Sequence, residues 1–389
     1  MRQNDGEGKL TPVSTRTAVV IGGGIGGLAS AVALRSAGWN VQVLERSEGL
    51  REVGAGISLW PNALRALDLL GVGDRVREQG TIETGGGFRD RTGTWLFRTD
   101  MRAIEERFGP SVLIRRPALL AILADALPPG TVTLSTEVTG IAERPDHVRV
   151  EHRAGPTTAD VVVAADGIRS RIRAHLWPGA RGPRYAGYTT WRFVTPVLDI
   201  DAEVTESWGS GERVGIFPLG DGTFYSYQSA TVPPDNRVGD ELGELKRRFS
   251  GWHDPIPALL DSVTSADVLR HDIYRLPPLR TFVTRRVALV GDAAHAMTPD
   301  LGQGGCTSLE DAVELARQLD GRPADPAHGL ARYDRLRRPR TQAIARRSAI
   351  SGRFGQASSP IAVRLRDRAA RLLPHGAFLR SMEPVFGWR

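Results

Sequence analysis

The sequence predicts an α/β protein with a parallel core sheet, a second, mainly antiparallel sheet, and a helical C-terminal region. Three observations carry this. Residues 17–46 read as strand, helix and strand around a glycine-rich turn. Residues 185–230 are dense in aromatic and β-forming types, and from about Asp325 onward the chain reads as arginine-rich amphipathic helices.

In the first stretch, TAVVIGGGIGGLASAVALRSAGWNVQVLER, Ala18–Ile21 is a short apolar run suited to a buried parallel strand. Gly26–Ala37 has a helical apolar pattern, and Val41–Leu44 is a second strand. Gly22, Gly24 and Gly27 stand between strand and helix in G-x-G-x-x-G spacing, and Glu45 closes the second strand. This is a Rossmann-like βαβ unit, in which glycine serves the tight turn, the backbone's approach to a pyrophosphate, and close helix–strand packing. The helix start offers unpaired N–H groups to phosphate, and the Glu45 carboxylate can accept from a ribose diol.

The middle of the chain reads as mixed α/β. A short helix is expected over Leu64–Leu70, a strand over Ser111–Ile114, and a helix opening near Pro117, where proline is tolerated. Val132–Leu134, Val148–Glu151 and Val161–Ala164 read as strands. ADGIRSRIR follows directly, placing Asp166 and Gly167 at a strand's C-terminal end, where α/β sheets bind ligands; Asp166 reads equally well there as a helix cap. Within 185–230, Gly220-Asp221-Gly222 is a hairpin-like turn between Val214–Phe217 and Phe224–Gln228. Arg286–Val290 returns to a buried-strand pattern. It leads into GDAAHAMTPDLGQGGCTSLEDAVELARQL, where a strand ends at Asp292 and a helix begins near Gly304-Gly305. A helix N-terminus with bare N–H groups stabilises negative charge on a ligand. A capped helix with a loose entry loop is the plainer account, but it leaves Gly302, Gly304 and Gly305 costing backbone entropy without local gain.

Composition bounds the function. At roughly 100–200 residues per domain, 389 residues suggest two domains or slightly more. Apolar residues at 41% and charged residues at 24% fit a globular protein, and no apolar run approaches the roughly 18 residues of a membrane span. The start, MRQNDGEGKLTPVSTR, lacks a signal core and reads as a loose tail; with one cysteine, a cytoplasmic location is expected and a disulfide framework is excluded. Eight histidines show no helical ligand pair, so no metal site is expected. Neither G-x-S-x-G nor a P-loop occurs. The net charge of +7 rests on arginine, Lys9 and Lys246 being the only lysines. Twelve arginines fall between Arg332 and Arg371, without the interleaved aromatics of a nucleic-acid surface; they are expected on solvated helix faces, with no nucleic-acid partner.

Together, GGGIGGL with LER, ADGIRSRIR and GDAAHAMTPDLGQGGCTSLEDA resemble the FAD-dependent aromatic hydroxylases, single-component flavoprotein monooxygenases of the para-hydroxybenzoate hydroxylase kind. REVGAGISLWPNALRALDLLG at 51–71 and IRRPALLAIL at 114–123 agree, so the resemblance spans about Thr17 to Gln318. It implies an FAD-binding domain (15–80, 106–183 and 275–389) interleaved with a substrate domain (81–105 and 184–274). It also implies that Gly22, Gly24, Ile25, Gly26 and Gly27 hold the pyrophosphate. Glu45, with Arg46 beside it, would bind the adenosine ribose. Gly56 lies in the matching 51–71 stretch, Arg116 near the FAD phosphates and ribose, and Val138 at adenine. Asp166 and Gly167 would serve FAD and the nicotinamide cofactor, Asp292 the ribityl chain, and Gly302, Gln303, Gly304, Gly305 and Cys306 the isoalloxazine ring, with Pro299 at its reacting edge.

The implied chemistry needs no nucleophile triad. A single dinucleotide fingerprint implies that NADH or NADPH visits as a transient donor. O2 then adds to the reduced flavin, giving a C4a-hydroperoxide that hydroxylates or epoxidises an aromatic or conjugated small molecule; the cofactor carries the hard step. The urate-hydroxylating and carotenoid epoxidase branches are the nearest, and by likeness to the former Arg213, Tyr225 and Asp300 would orient a purine-like or natural-product substrate. Plainer roles for them are a strand-edge charge, sheet packing and a turn cap. His295 and Cys306 read as structural residues. A flavin dehydrogenase, or a flavoprotein with structural FAD acting as a cyclase or binding protein, is the alternative. A monomer or homodimer is expected.

Overall fold

The computed structural model describes residues 16–50, 56–321 and 325–388. The polar N-terminal tail and the first five residues of the 51–71 stretch lie outside the described residues. The core sheet has five parallel strands in the order Val287–Leu289, Val161–Ala164, Thr17–Ile21, Asn40–Leu44, Val132–Thr133. These are near-continuous β-branched runs because both faces are covered, and Val20, Val43 and Val161–Val163 are fully buried.

Register decides where the motifs meet. Ile21 pairs with Ala164, and Ala164 with Leu289, so three strands end level. The loops that follow them, 22–24, 165–167 and 290–292, therefore converge at one edge of the sheet, where open α/β sheets bind ligands. The helix Ile25–Ser36 leaves that edge and packs against the helix Gln303–Leu319, a β-carbon at Gly26 falling 3.3 Å from Ser308.

Two small antiparallel sheets flank the core, one of Val138–Glu143, Val148–His152 and Thr157–Ala159, the other of Gly56–Leu59, Val112–Arg115 and Thr81–Ile82. The second large sheet has seven strands. Glu212–Pro218 and Phe224–Ala230 form its central hairpin, turning at Gly220 and Gly222, both at φ +79°. Gly87–Asp90 and Trp95–Arg98 join it from far upstream, and the pairing of Gly87–Asp90 with Thr205–Trp208 is its one parallel contact. Trp191, Phe193, Val214 and Ile216 bury its outer face against the helices Glu241–Phe249 and Ile256–Asp261, which the sequence reading did not resolve.

The C-terminal region forms the helices Ala327–Gly355, Pro360–Arg371 and His375–Phe386. The expectation that all its arginines are solvated is corrected for two of them. Arg337 and Arg366 are among the largest fully buried side chains. Burial is tolerated because their charges are matched: Arg337 pairs with Glu310 and Asp311, and Arg366 with Asp367 and the carbonyls of Gly209 and Gly355. No described helix is long and apolar enough to cross a membrane.

Candidate active site

The glycine loop contains glycines of two kinds. Gly22 sits at φ +106°, and a β-carbon there would stand 2.5 Å from the Ala165 carbonyl oxygen; one at Gly27 would overlap the Gly22 carbonyl oxygen. The fold itself requires these two. Gly24, at φ −74°, has ordinary backbone geometry, and a β-carbon would meet nothing within 4 Å among the described residues. Glu45 braces the loop: its carboxylate accepts from the Gly23 N–H at 2.5 Å and the Ser47 N–H at 2.8 Å. Arg46 is exposed. The Thr136 N–H donates to the Glu45 carbonyl and the Ser135 N–H to that of Ser47, which brings Val138 up beside them.

At the neighbouring strand end, Asp166 Oδ2 accepts from the Ile172 N–H at 3.2 Å, while Oδ1 is buried with no partner among the described residues. Gly167, at φ +81°, is open on its side-chain side. Asp292 begins a one-turn helix and is exposed, its carboxylate free of hydrogen-bond and ion-pair partners among the described residues.

Past Pro299, which opens a short 3-10 turn, Gly302 adopts φ +61° against Trp60 and so serves a left-handed turn. This corrects the expectation that Gly302 brings no local gain. The helix starts at Gln303, whose side chain exchanges hydrogen bonds with the Asn62 amide. Gly304 faces open space among the described residues, and Gly305 lies against Ile57, next to Gly56. Arg116 begins the helix Arg116–Asp125 directly after Arg115, which pairs with Gly56. Cys306 is fully buried, and burial pushes its thiol up to about 12.

A buried ionic network, not foreseen from sequence, holds the strand end and the helix together. Asp311 accepts from the Gly291 N–H at 3.0 Å, His295 Nε2 at 2.6 Å and Arg337 Nε at 2.7 Å. Burial would push this carboxyl up, but His295 and Arg337 hold it below its ordinary value. Glu310 beside it binds Asn62, Arg337 and Arg340. The available signal was two adjacent acids, Glu310 and Asp311, set between Leu309 and Ala312 of the helix's apolar stripe.

On the inner face of the seven-stranded sheet, register pairs Phe217 with Tyr225, Gly215 with Tyr227 and Arg213 with Ser229. Strand alternation therefore puts Arg213, Tyr227, Tyr225 and Phe217 on one face. The Phe217 ring lies 5.5 Å from that of Tyr225 and 5.9 Å from that of Tyr227. Tyr225 also borders Gly56, where a β-carbon would stand 2.9 Å from its ring. Burial pushes its phenol up, against the pull of Arg192 and Arg116.

Arg213 and Asp300 meet directly, away from Tyr225. Arg213 donates to Asp300 at 2.7 Å and to Glu206 at 3.1 Å, and the Tyr188 hydroxyl donates to Asp300 at 2.9 Å. The Arg213 and Asp300 side chains are 5% and 0% exposed. A β-carbon at Gly352 would overlap the Asp300 carboxylate, so the long helix leaves room for this pair. A cleft of about 310 Å³ lies alongside, lined by Tyr188, Arg275, Thr298, Asp300, Gly352 and Arg353. Near the Gly56 strand, Glu83 is buried with Ser58 donating to it at 2.8 Å, and burial pushes its carboxyl up.

A family model described as FAD binding domain matches residues 15–348. The chain belongs to that family. It is 39% identical over 367 residues to aurachin C monooxygenase/isomerase of Stigmatella aurantiaca, covering 92% of this chain and 94% of that protein. It is 34% identical over 379 residues to 2-heptyl-3-hydroxy-4(1H)-quinolone synthase of Pseudomonas aeruginosa, covering 95% and 97%. The structure of Klebsiella pneumoniae HpxO complexed with FAD and uric acid superposes with a TM-score of 0.88 at 29% identity, covering 95% and 96%. The chain is thus a flavin-dependent oxidoreductase of a monooxygenase-like family acting on aromatic or conjugated substrates, with FAD as cofactor and NAD(P)H the donor consistent with the family.

Proposed function

We propose that this protein is an FAD-dependent monooxygenase that hydroxylates a quinolone-like aromatic heterocycle. NAD(P)H, a proton and O2 would be consumed, one oxygen atom entering the ring and the other leaving as water. The reading rests chiefly on one observation: the Phe217–Tyr225–Tyr227 aromatic face approaches the Gly302–Cys306 helix start through Gly56 and Ile57. The long coverage of the quinolone synthase supports the ring type.

The residues fit FAD. Among the described residues, Gly24 and Gly304 have room where backbone N–H groups would meet phosphate and ring carbonyl, and the buried Asp166 Oδ1 has no partner of its own. When bound, FAD supplies the redox chemistry that links NAD(P)H to dioxygen. In this reading Gly22 to Gly27 hold the pyrophosphate; Glu45 and Arg46 the ribose; Arg116, Val138, Asp166 and Gly167 the nucleotide side; Asp292 the ribityl chain; and Gly302 to Cys306 the ring. Pro299 flanks the reacting edge. Tyr225 would contact substrate. Arg213 already has its charge matched by two carboxylates, and is assigned the role of positioning Asp300 rather than binding an anionic substrate.

Stopped-flow flavin reduction with a 2-alkyl-4(1H)-quinolone, urate and an aminohydroxybenzoate, followed by mass spectrometry under labelled oxygen, tests this. Faster reduction and one labelled oxygen in the quinolone are expected. NAD(P)H oxidation without label would favour the dehydrogenase alternative, and label in urate alone would overturn the ring assignment.

A further inference from the structure

The helix Pro360–Arg371 has an outer face that no described residue covers. It packs on the strand Trp95–Arg98, with Ala370 in a cluster with Leu96 and Trp208 and with Arg366 over the Trp208 ring, both buried. At 100° per residue, Ile361, Leu365, Arg368 and Leu372 fall within an arc of about 60° on the opposite side. Ile361, Leu365 and Leu372 are 71%, 64% and 68% exposed. Isolated exposed apolar residues are ordinary, but three in a line along one helix and its C-cap are not.

The charges beside this stripe are of one sign. Arg364, Arg368 and Arg371 border or interrupt it, and all three are exposed. Arg371 reaches Asp90, while Arg364 and Arg368 form no ion pair among the described residues. The helix's one acid, Asp367, lies toward the buried side and is taken up by Arg366. The pattern matches helices that lie in a membrane interface, with apolar side chains at the acyl boundary and guanidinium groups among phosphates.

We propose that Pro360–Arg371 is an interfacial helix that docks the protein on an anionic lipid bilayer, lying in its surface without spanning it. Charge complementarity selects this occupant. A second copy of the chain in a two-fold contact would set this face against itself, bringing the guanidinium groups together with no acids to separate them. The cleft beside Asp300 has Arg353 and Gln356 in its wall, the latter only four residues before Pro360, so a docked helix would hold that opening close to the lipid. The proposal does not depend on which ring is oxidised.

The test is co-sedimentation of the full-length, FAD-loaded protein with vesicles of phosphatidylglycerol and phosphatidylcholine in equal parts, against vesicles of phosphatidylcholine alone. Protein is expected in the pellet with the anionic vesicles only. Partition should fall about fivefold for each of Arg364→Gln and Arg368→Gln, and at least tenfold for Leu365→Glu. These side chains face solvent, so unchanged thermal unfolding verifies that the variants fold. The proposal is overturned if the wild type stays in the supernatant with both vesicle types, or if the variants pellet like the wild type. It is equally overturned if light scattering finds a dimer that Leu365→Glu dissociates.

Discussion

Gly24→Val separates the needs of the fold from those of the cofactor. Since a β-carbon at Gly24 meets no described residue within 4 Å and φ is −74°, the described fold has space for the larger residue. The main structural cost is a poorer helix N-cap, about 1 kcal/mol or less, which is a drop of about 2 °C in melting temperature for a chain of this size. With FAD the balance changes. A side chain standing between the loop and a pyrophosphate removes one or two hydrogen bonds to a charged group, worth roughly 2–5 kcal/mol together, so Kd should weaken by roughly 30- to 5000-fold. Flavin fluorescence titration of the apoprotein measures the loss of affinity, and the FAD-induced rise in melting temperature reports it independently. Gly27→Ala is the control: its methyl would overlap the Gly22 carbonyl oxygen, so the apoprotein itself should be destabilised. Wild-type FAD affinity in Gly24→Val would refute the assignment of this loop to the cofactor.

Other consequences can be measured on the same protein. Arg213→Ala strands Asp300 and Glu206 and should cost about 3–5 kcal/mol in urea unfolding; a loss below about 0.5 kcal/mol would return Arg213 to the role of a strand-edge charge. Glu83 keeps its proton in the folded state above the pH at which the unfolded chain releases it, so its contribution weakens stability as pH rises from about 4.5 toward its folded value. Glu83→Gln should therefore gain in melting temperature over the wild type between pH 5 and pH 8 (roughly, given the ordinary Glu value), and a pH-independent difference would contradict this. Cys306, buried and with its thiol pushed up to about 12, should resist thiol reagents at about pH 8 until the protein unfolds; rapid labelling of the native protein would count against the packed helix start.

Much of the fold was legible because its determinants are local. The βαβ unit, the strand Val161–Ala164 and the helix opening at Gln303 are written in short apolar periods and in glycines whose φ or close contacts admit nothing larger. What was illegible depends on partners far apart in sequence. Arg213 meets Asp300 across 87 residues, and no spacing rule connects a hairpin strand to a 3-10 turn. The pairing of Gly87–Asp90 with Thr205–Trp208 is equally remote. Arginine at 337 has the same local signature as its solvated neighbours; only the facing acids, Glu310 and Asp311, decide that it is buried.

That last contact also has a temporal side. Glu310 and Asp311 leave the ribosome before Arg337 and Arg340, so for a second or more, at about 5–20 residues per second, two carboxylates destined for the interior lack their arginine partners. Every glycine fingerprint has by then been synthesised, yet the helix that carries Gly304 and Gly305 cannot be seated. A chain interrupted within the long helix would display the nucleotide signature in full and hold the cofactor poorly. FAD retention can thus serve as a readout of whether synthesis has passed Arg340.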